Sequence, residues 1–362
     1  MTMDTRLSRR SVLAAAAAIG TGAALPMPAL AQGRRRVKFA NSWVPEGSNL
    51  PAYVALGKGY WKDRGFDVEI TPRVGAQQIY AGEFDIGFIN GSTLPVQKAR
   101  GVDLIAIGQL DYKTTMGIGL LASSPITSPK GLEGRKLGSS PNSSEYPFLP
   151  AYAEAAGFDL SKVDRIQLDT QVRETALLQG NVDAITGVGS SILSKLVPQG
   201  HRLKFMLYND AGLTQLMGQT MVATPAMLAR DPQMCAAIVE GMMEAIKFTA
   251  LNVDAAIATF LEQVPEMALN PVAQDQLKLS LGITQTMNLV PEVKEHGVGW
   301  MSADKYLGMW NLAQTYVVKA GTPAPAIDTL MLNRFVGGVT YTDAEWTALN
   351  ARLAPYKALF AV

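Results

Sequence analysis

Apolar residues recur along the chain with two spacings, one typical of strands and one typical of helices. The two spacings alternate, which predicts short strands followed by helices. Residues 37–40 form an apolar strand, and the polar loop after it reaches Ser48 and Asn49, which both favour the start of a helix. Apolar residues spaced through 50–60 lie on one helical face, and 66–70 alternates as a strand does. Strand–helix–strand units of this kind predict an α/β protein with parallel, doubly wound sheets.

One segment of this pattern repeats 98 residues further along the chain. Residues 79–92 and 177–190 share an apolar helix end, a glycine, an apolar-Asp-apolar strand start and a turn rich in Gly and Ser. The two glycines, Gly82 and Gly180, suit the position just after a helix, where the backbone often turns left-handed. The repeat predicts two similar α/β lobes that face each other.

The chain beyond Arg230 is predicted to be mostly helical. Asp231 caps a helix that begins at Pro232, and 342–345 is a capping box that opens a helix through about Leu359.

Two apolar strands, at 120–123 and 221–224, are each followed by proline and are predicted to cross between the lobes. The resulting division is a first lobe of residues 32–121 plus 225–362 and a second lobe of residues 122–224. Two crossings predict a hinge.

The first 31 residues are predicted to be an export signal. Arg9 and Arg10 form a twin-arginine pattern, and 29–31 reads Ala-Leu-Ala, which a signal peptidase accepts. The apolar run between them is about 14 residues long, short of the roughly 20 that span a bilayer. An ordinary Sec signal is the alternative route, since Val12 stands where twin-arginine signals usually carry Phe. Either route predicts a soluble periplasmic protein, and the lack of a cysteine after the run predicts no lipid anchor.

Composition narrows the chemistry further. The chain has 32 Lys and Arg against 31 Asp and Glu, a net charge of +1, which argues against a nucleic-acid partner. A single cysteine, Cys235, excludes an internal disulfide, and two histidines, His201 and His296, leave little for a zinc site. Residues 117–122 superficially match a dinucleotide-binding fingerprint but read as one continuous strand. We therefore expect no cofactor, no metal and no enzymatic activity.

A set of short motifs carries a resemblance to a known family. They are Trp43-x-Pro45, Tyr53-Val54-Ala55, Gly57-Lys58-Gly59-Tyr60-Trp61, Gly65-x-Asp67-Val68, Ala81-Gly82-x-Phe84-Asp85-Ile86-Gly87, Gly131-Leu132-x-Gly134-Arg135-Lys136-Leu137-Gly138 and Gln179-Gly180-x-Val182-Asp183-Ala184. In this order and spacing the chain resembles the periplasmic substrate-binding proteins of ABC importers for nitrate, sulfonates, taurine and thiamine-pyrimidine precursors.

The resemblance implies a two-lobed periplasmic-binding-protein fold of type II, with two doubly wound sheets joined by two crossing strands. It also implies a receptor that closes over a small organic anion or heteroaromatic and meets a permease and ATPase complex in the inner membrane. We expect it to be a monomer. Two other functions stay open: a periplasmic ligand-sensing partner of a signalling system, and an enzyme like the yeast-type pyrimidine synthase. The synthase would need a reactive histidine and a cysteine-rich iron site.

Ligands of open α/β sheets bind beyond the carboxyl ends of the strands, where loops lead into helices. Four such loops lie at 41–49, 90–93, 139–145 and 187–191. They are rich in hydroxyl, amide and backbone N–H donors, which suit an oxyanion at helix N-termini. The predicted ligand-binding residues are Asn41, Trp43, Glu46, Asn90, Ser92, Thr93, Ser139, Ser140, Asn142, Ser143, Ser144, Gly189 and Ser190. The competing interpretation is that the Ser and Asn residues only cap helices and that Trp43 belongs to the core. Pro141 and Pro147 further predict that the helix of the third loop starts late or kinks.

Overall fold

Two five-stranded sheets organise residues 34–360, the part of the chain that the computed structural model describes. The strands are β1 (Arg35–Asn41), β2 (Phe66–Pro72), β3 (Ile86–Asn90), β4 (Ile105–Gln109), β5 (Met116–Leu121), β6 (Lys136–Ser139), β7 (Asp164–Gln167), β8 (Ala184–Val188), β9 (Leu203–Leu207) and β10 (Gln219–Ala223). The predicted export signal lies outside the described residues.

Helices connect these strands and make up most of the chain after β10. They are α1 (Leu50–Gly57), α2 (Ala76–Tyr80), α3 (Leu94–Ala99), α4 (Leu149–Ala155), α5 (Arg173–Leu178), α6 (Gly189–Leu196), α7 (Pro225–Arg230), α8 (Pro232–Leu251), α9 (Val253–Gln263), α10 (Pro265–Ala268), α11 (Ala273–Thr286), α12 (Pro291–His296), α13 (Ala303–Ala313) and α14 (Asp343–Lys357). None of the helices within 34–360 is both long and apolar enough to cross a membrane.

The two sheets have matching strand orders. The first runs β2-β1-β3-β10-β4 and the second runs β7-β6-β8-β5-β9. The pair β1–β3 and the pair β6–β8 are parallel, whereas β10 and β5 run antiparallel to their neighbours. The predicted α/β architecture of two sheets is therefore confirmed, with one antiparallel strand inserted in each sheet.

The internal repeat extends through both sheets. Strands β2, β3 and β4 begin 98 residues before β7, β8 and β9. Asp85 accepts from the backbone N–H of Lys38 at 2.9 Å, and Asp183 accepts from that of Lys136 at 2.8 Å. Each aspartate N–H in turn donates to the carbonyl of the same lysine. The repeated Asp thus clamps the start of one parallel strand to the next, which explains why the motif recurs.

The passages between the sheets lie earlier along the chain than the sequence predicted. Strand β5 belongs wholly to the second sheet and β10 wholly to the first, so the chain passes between them at 110–115 and 208–218. We call these segments the first and second linkers. They bond to each other: Gly218 N–H donates to the Asp111 carbonyl at 3.0 Å, and Leu110 N–H donates to the Gln219 carbonyl at 2.9 Å. The two linkers are therefore hydrogen-bonded to each other beside β10, and the second contains a short 3-10 helix at Asn209–Ala211.

Predicted helix starts are confirmed where a capping residue marked them. Asp231 accepts from Met234 N–H at 3.0 Å, and Thr342 with Glu345 forms the capping box of α14. After the prolines of 141–147, α4 begins only at Leu149, so this helix starts late rather than kinking.

The chain after β10 packs on both sheets, although the sequence assigned it to the first lobe alone. Met242 and Phe260 lie in the core under the first sheet. Ile283 of α11 and Phe360 belong instead to a cluster with Phe205 of β9, and the two phenyl rings meet edge to face at 6.0 Å. The C-terminal region therefore contributes to the cores of both sheets.

Candidate functional site

A cavity of about 460 Å³ lies between the two sheets. Its walls come from the loops after β1, β3, β6 and β8 and from both linkers. The carboxyl ends of the parallel strands therefore meet at one cleft, as the sequence predicted for the four loops.

Eight of the predicted ligand-binding residues line this cavity and five do not. The lining residues are Trp43, Glu46, Asn90, Thr93, Asn142, Ser143, Ser144 and Ser190. The other five are Asn41, Ser92, Ser139, Ser140 and Gly189, all of them buried. Each of the four loops therefore contributes residues to the cavity, but part of each predicted set is buried in the protein instead.

Ser92 shows why a polar residue at a strand end can be structural. Its hydroxyl donates to the Met217 carbonyl at 2.8 Å and accepts from Met217 N–H at 2.9 Å. The side chain is fully buried, and these two bonds tie the loop after β3 to the second linker. The hydroxyl therefore has its partners within the protein.

Ser92→Ala is expected to lower the free energy of unfolding by about 1–3 kcal/mol, because two buried backbone groups lose their partner. Urea unfolding measures the loss, and the exposed Ser128→Ala is the control, expected to change stability by less than about 0.5 kcal/mol. A normal stability for Ser92→Ala would contradict the structural role.

A chain of polar side chains crosses the cleft at Glu46. Its carboxylate accepts from the hydroxyls of Ser48 and Ser191, both at 2.7 Å, and Gln219 donates to Ser48 at 3.4 Å. Glu46 follows β1, whereas Ser191 lies in α6 after β8, so the network joins the two sheets. Burial raises the pKa of Glu46, although hydrogen bonds from Ser48, Ser191 and Trp43 oppose the rise.

A buried ion cluster forms the second-sheet wall. Arg173 bonds to Glu174 through Nη2 at 2.7 Å and Nε at 3.2 Å, and its Nη1 lies 3.6 Å from Glu145. Glu145 is fully buried and also accepts from Thr186 and Ser143. Burial disfavours ionisation of Glu174, yet Arg173 and then Lys195 hold its pKa below the ordinary value.

Asp111 places a third carboxylate at the cavity, on the first linker. One oxygen accepts from Gln219 N–H at 3.1 Å, and no described group bonds to the other. Burial raises the pKa of Asp111 to about 7, with a smaller contribution from Glu46, while the bond from Gln219 N–H opposes the rise. Gly218 lies against this side chain, since an added Cβ would meet the Asp111 Cβ at 2.5 Å.

Arg173, Asp111 and Gln219 were missed by the sequence reasoning. Charged residues are usually exposed to solvent, and nothing in the sequence around Arg173 indicates that it is buried. Asp111 had a usable signal: it lies two residues after the end of strand β4, so a crossing placed at 110–115 would have put it at the cleft.

Comparison with known proteins identifies relatives across most of the chain. Residues 48–268 match the model of a family described as NMT1/THI5 like. The riboflavin-binding protein RibY of Chloroflexus aurantiacus is 20% identical over 329 residues, covering 88% of this chain and 91% of that protein. The formylaminopyrimidine-binding protein of Halalkalibacterium halodurans is 21% identical over 252 residues, covering 68% and 76%.

An enzyme also matches, over a shorter stretch. The 4-amino-5-hydroxymethyl-2-methylpyrimidine phosphate synthase of Candida albicans is 31% identical over 108 residues, which is 28% of this chain and 32% of the enzyme. Among solved structures, the alkanesulfonate-binding protein SsuA of Xanthomonas axonopodis pv. citri superimposes with a TM-score of 0.62 at 12% identity, covering 82% of this chain and 98% of that one. This likeness confirms the two-sheet binding-protein fold.

Proposed function

This chain belongs to the NMT1/THI5-like family, and we propose that it is an extracytoplasmic solute-binding receptor of an ABC importer. In this proposal its two lobes close over one small molecule and present it to a permease and ATPase complex. The lobes follow the two sheets, and the paired linkers are the hinge. The observation that carries the proposal is a cavity of about 460 Å³ whose walls come from both sheets and both linkers.

Contacts across the cavity support closure as the working motion. The bond between Ser191 and Glu46 joins the two sheets directly, and Asp111 and Gln219 belong at once to the cavity wall and to the hinge. A ligand that contacts both walls stabilises the closed state by its differential affinity for that state.

The buried thiol gives the enzyme alternative little support. Cys235 lies in the core under the first sheet, and burial raises its pKa to about 11, so it stays a neutral thiol. Of the described residues that line the cavity, none is a histidine or a cysteine. A periplasmic sensor would use the same cavity and the same closure, and the genes beside this one would distinguish it from a transporter.

Trp43→Ala is expected to weaken ligand binding at least tenfold while leaving the melting temperature nearly unchanged. Trp43 lines the cavity and is half-buried, so its ring is available to pack on a ligand. Calorimetric titration with riboflavin, a formylaminopyrimidine and taurine, paired with thermal melts, measures both effects.

Trp61→Phe is the matched control, since Trp61 is a core residue whose Nε1 donates to the Ile238 carbonyl at 2.9 Å. This variant should lose stability and keep its affinity. A Trp43→Ala protein that melts early but binds normally would refute the ligand role of this tryptophan.

A further inference from the structure

The cavity wall carries more buried acid than buried base. Glu46, Asp111 and Glu145 all line it, and Asp111 and Glu145 are almost wholly buried. The one buried base among the described lining residues is Arg173, and Glu174 already occupies its Nε and Nη2. Arg100 and Lys113 also line the cavity but are exposed to solvent.

Three lining side chains also keep an oxygen for which the described part of the protein supplies no donor. These atoms are Oδ1 of Asp111, Oε2 of Glu145 and Oε1 of Gln219. Buried acceptors are nearly always hydrogen-bonded in native proteins, so three of them around one cavity call for donors from elsewhere. Asp111 and Gln219 lie where the linkers meet, so a movement of the hinge changes access to both.

On the basis of the proposed receptor function, we propose that the ligand is a small cation that bears several N–H donors, such as an amidinium or a protonated amine. Its N–H groups donate to the free oxygens of Asp111, Glu145 and Gln219, and its charge balances the carboxylates. An oxyanion would instead bring a second negative charge beside buried carboxylates and would leave the three acceptors without donors.

The raised pKa of Asp111 agrees with this assignment. Burial raises the pKa of Asp111 to about 7, so a cation bound beside this carboxyl would lower the pKa and favour the carboxylate. A bound anion would raise the pKa further. The same reasoning applies to Glu46, whose pKa is also raised by burial.

The test uses two sets of three compounds, and each set contains a cation, a neutral amide and a sulfonate of similar size. Benzamidinium, benzamide and benzenesulfonate share a ring, and butylammonium, butyramide and butanesulfonate share a chain. Thermal melts and calorimetric titrations of the full mature protein with each compound compare charge at constant size. We expect the cation of at least one set to bind ten times more tightly than its sulfonate.

Asp111→Asn probes the acceptor on the first linker, and Glu145→Gln probes the acceptor in the loop after β6. Each substitution keeps the shape of the side chain and removes the negative charge, so each should reduce affinity for the cation at least tenfold. Asp254→Asn is the control, because Asp254 is exposed, pairs with Lys278 and does not line the cavity. Its affinity for the cation should equal that of the wild type.

Each other result overturns the ligand class. The cation proposal is refuted if a sulfonate binds more tightly than the cation of the same set, or if neither cation binds. It is also refuted if Asp111→Asn and Glu145→Gln both keep the wild-type affinity for the cation. If riboflavin, the formylaminopyrimidine or taurine still binds in those cases, the receptor function stands without this ligand class. If none of them binds either, the receptor function falls as well.

Discussion

Arg173→Met is expected to lower the free energy of unfolding by about 3–5 kcal/mol, because it leaves the buried Glu145 without a cation and the buried Glu174 paired only with Lys195 at 3.2 Å. Arg173 is only 5% exposed, and its guanidinium bonds to Glu174 at 2.7 Å and lies 3.6 Å from Glu145. Each carboxylate is itself buried, so solvent compensates little of the loss. Urea unfolding monitored by circular dichroism measures the change.

Arg230→Met is the matched control for this prediction. Arg230 is largely exposed, and its pair with Asp85 spans 3.7 Å, so its removal should change stability by less than about 1 kcal/mol. The double variant Arg173→Met, Glu174→Met should recover part of the loss, since it also removes a buried carboxylate that has lost its main cation. A loss below about 1 kcal/mol for Arg173→Met alone would show that the cluster is hydrated rather than buried.

The strand and helix pattern could be predicted because it depends on local periodicity and on capping residues. The repeated Asp85 and Asp183 were visible as a motif, and the structure shows that both clamp a parallel strand pair. The sheet that a strand joins depends instead on long-range pairing. Met116–Leu121 is apolar throughout, and only its pairing with β8 and β9 assigns it to the second sheet, where Gly117 and Gly119 lie against the Phe205 ring of β9.

The loops of the candidate site could likewise be predicted, but the direction of each side chain could not. Asn90 ends β3 and Ser92 lies two residues beyond it, yet Asn90 lines the cavity while Ser92 bonds to the second linker. That difference depends on where residue 217 lies, more than a hundred positions away. Buried charges such as Arg173 could not be predicted for a related reason. Only tertiary packing decides whether a charged side chain is buried and paired or exposed to solvent.

Asp111→Asn is expected to stabilise the protein against unfolding increasingly as the pH rises. Burial raises the folded-state pKa of Asp111 to about 7, above the ordinary value of 3.8, so the folded protein holds a proton that the unfolded chain has released. The wild type therefore loses stability as the pH rises from about 4 to about 7, and the full penalty is present above pH 7. Asparagine does not ionise, so the advantage of the variant should grow by about 2–3 kcal/mol between pH 5 and pH 8.

Urea unfolding of the two proteins at both pH values measures this advantage. The control is Asp254→Asn, because Asp254 is exposed. Between the two pH values, the stability difference between this variant and the wild type should change by no more than about 0.5 kcal/mol. Parallel pH profiles for wild type and Asp111→Asn would mean that the carboxyl is hydrated and titrates normally. The predicted profile would instead mean that the unliganded protein carries an unfavourable buried carboxylate on its first linker. A cation that relieved this penalty on binding would couple ligand recognition to the hydrogen bonds that join the two linkers.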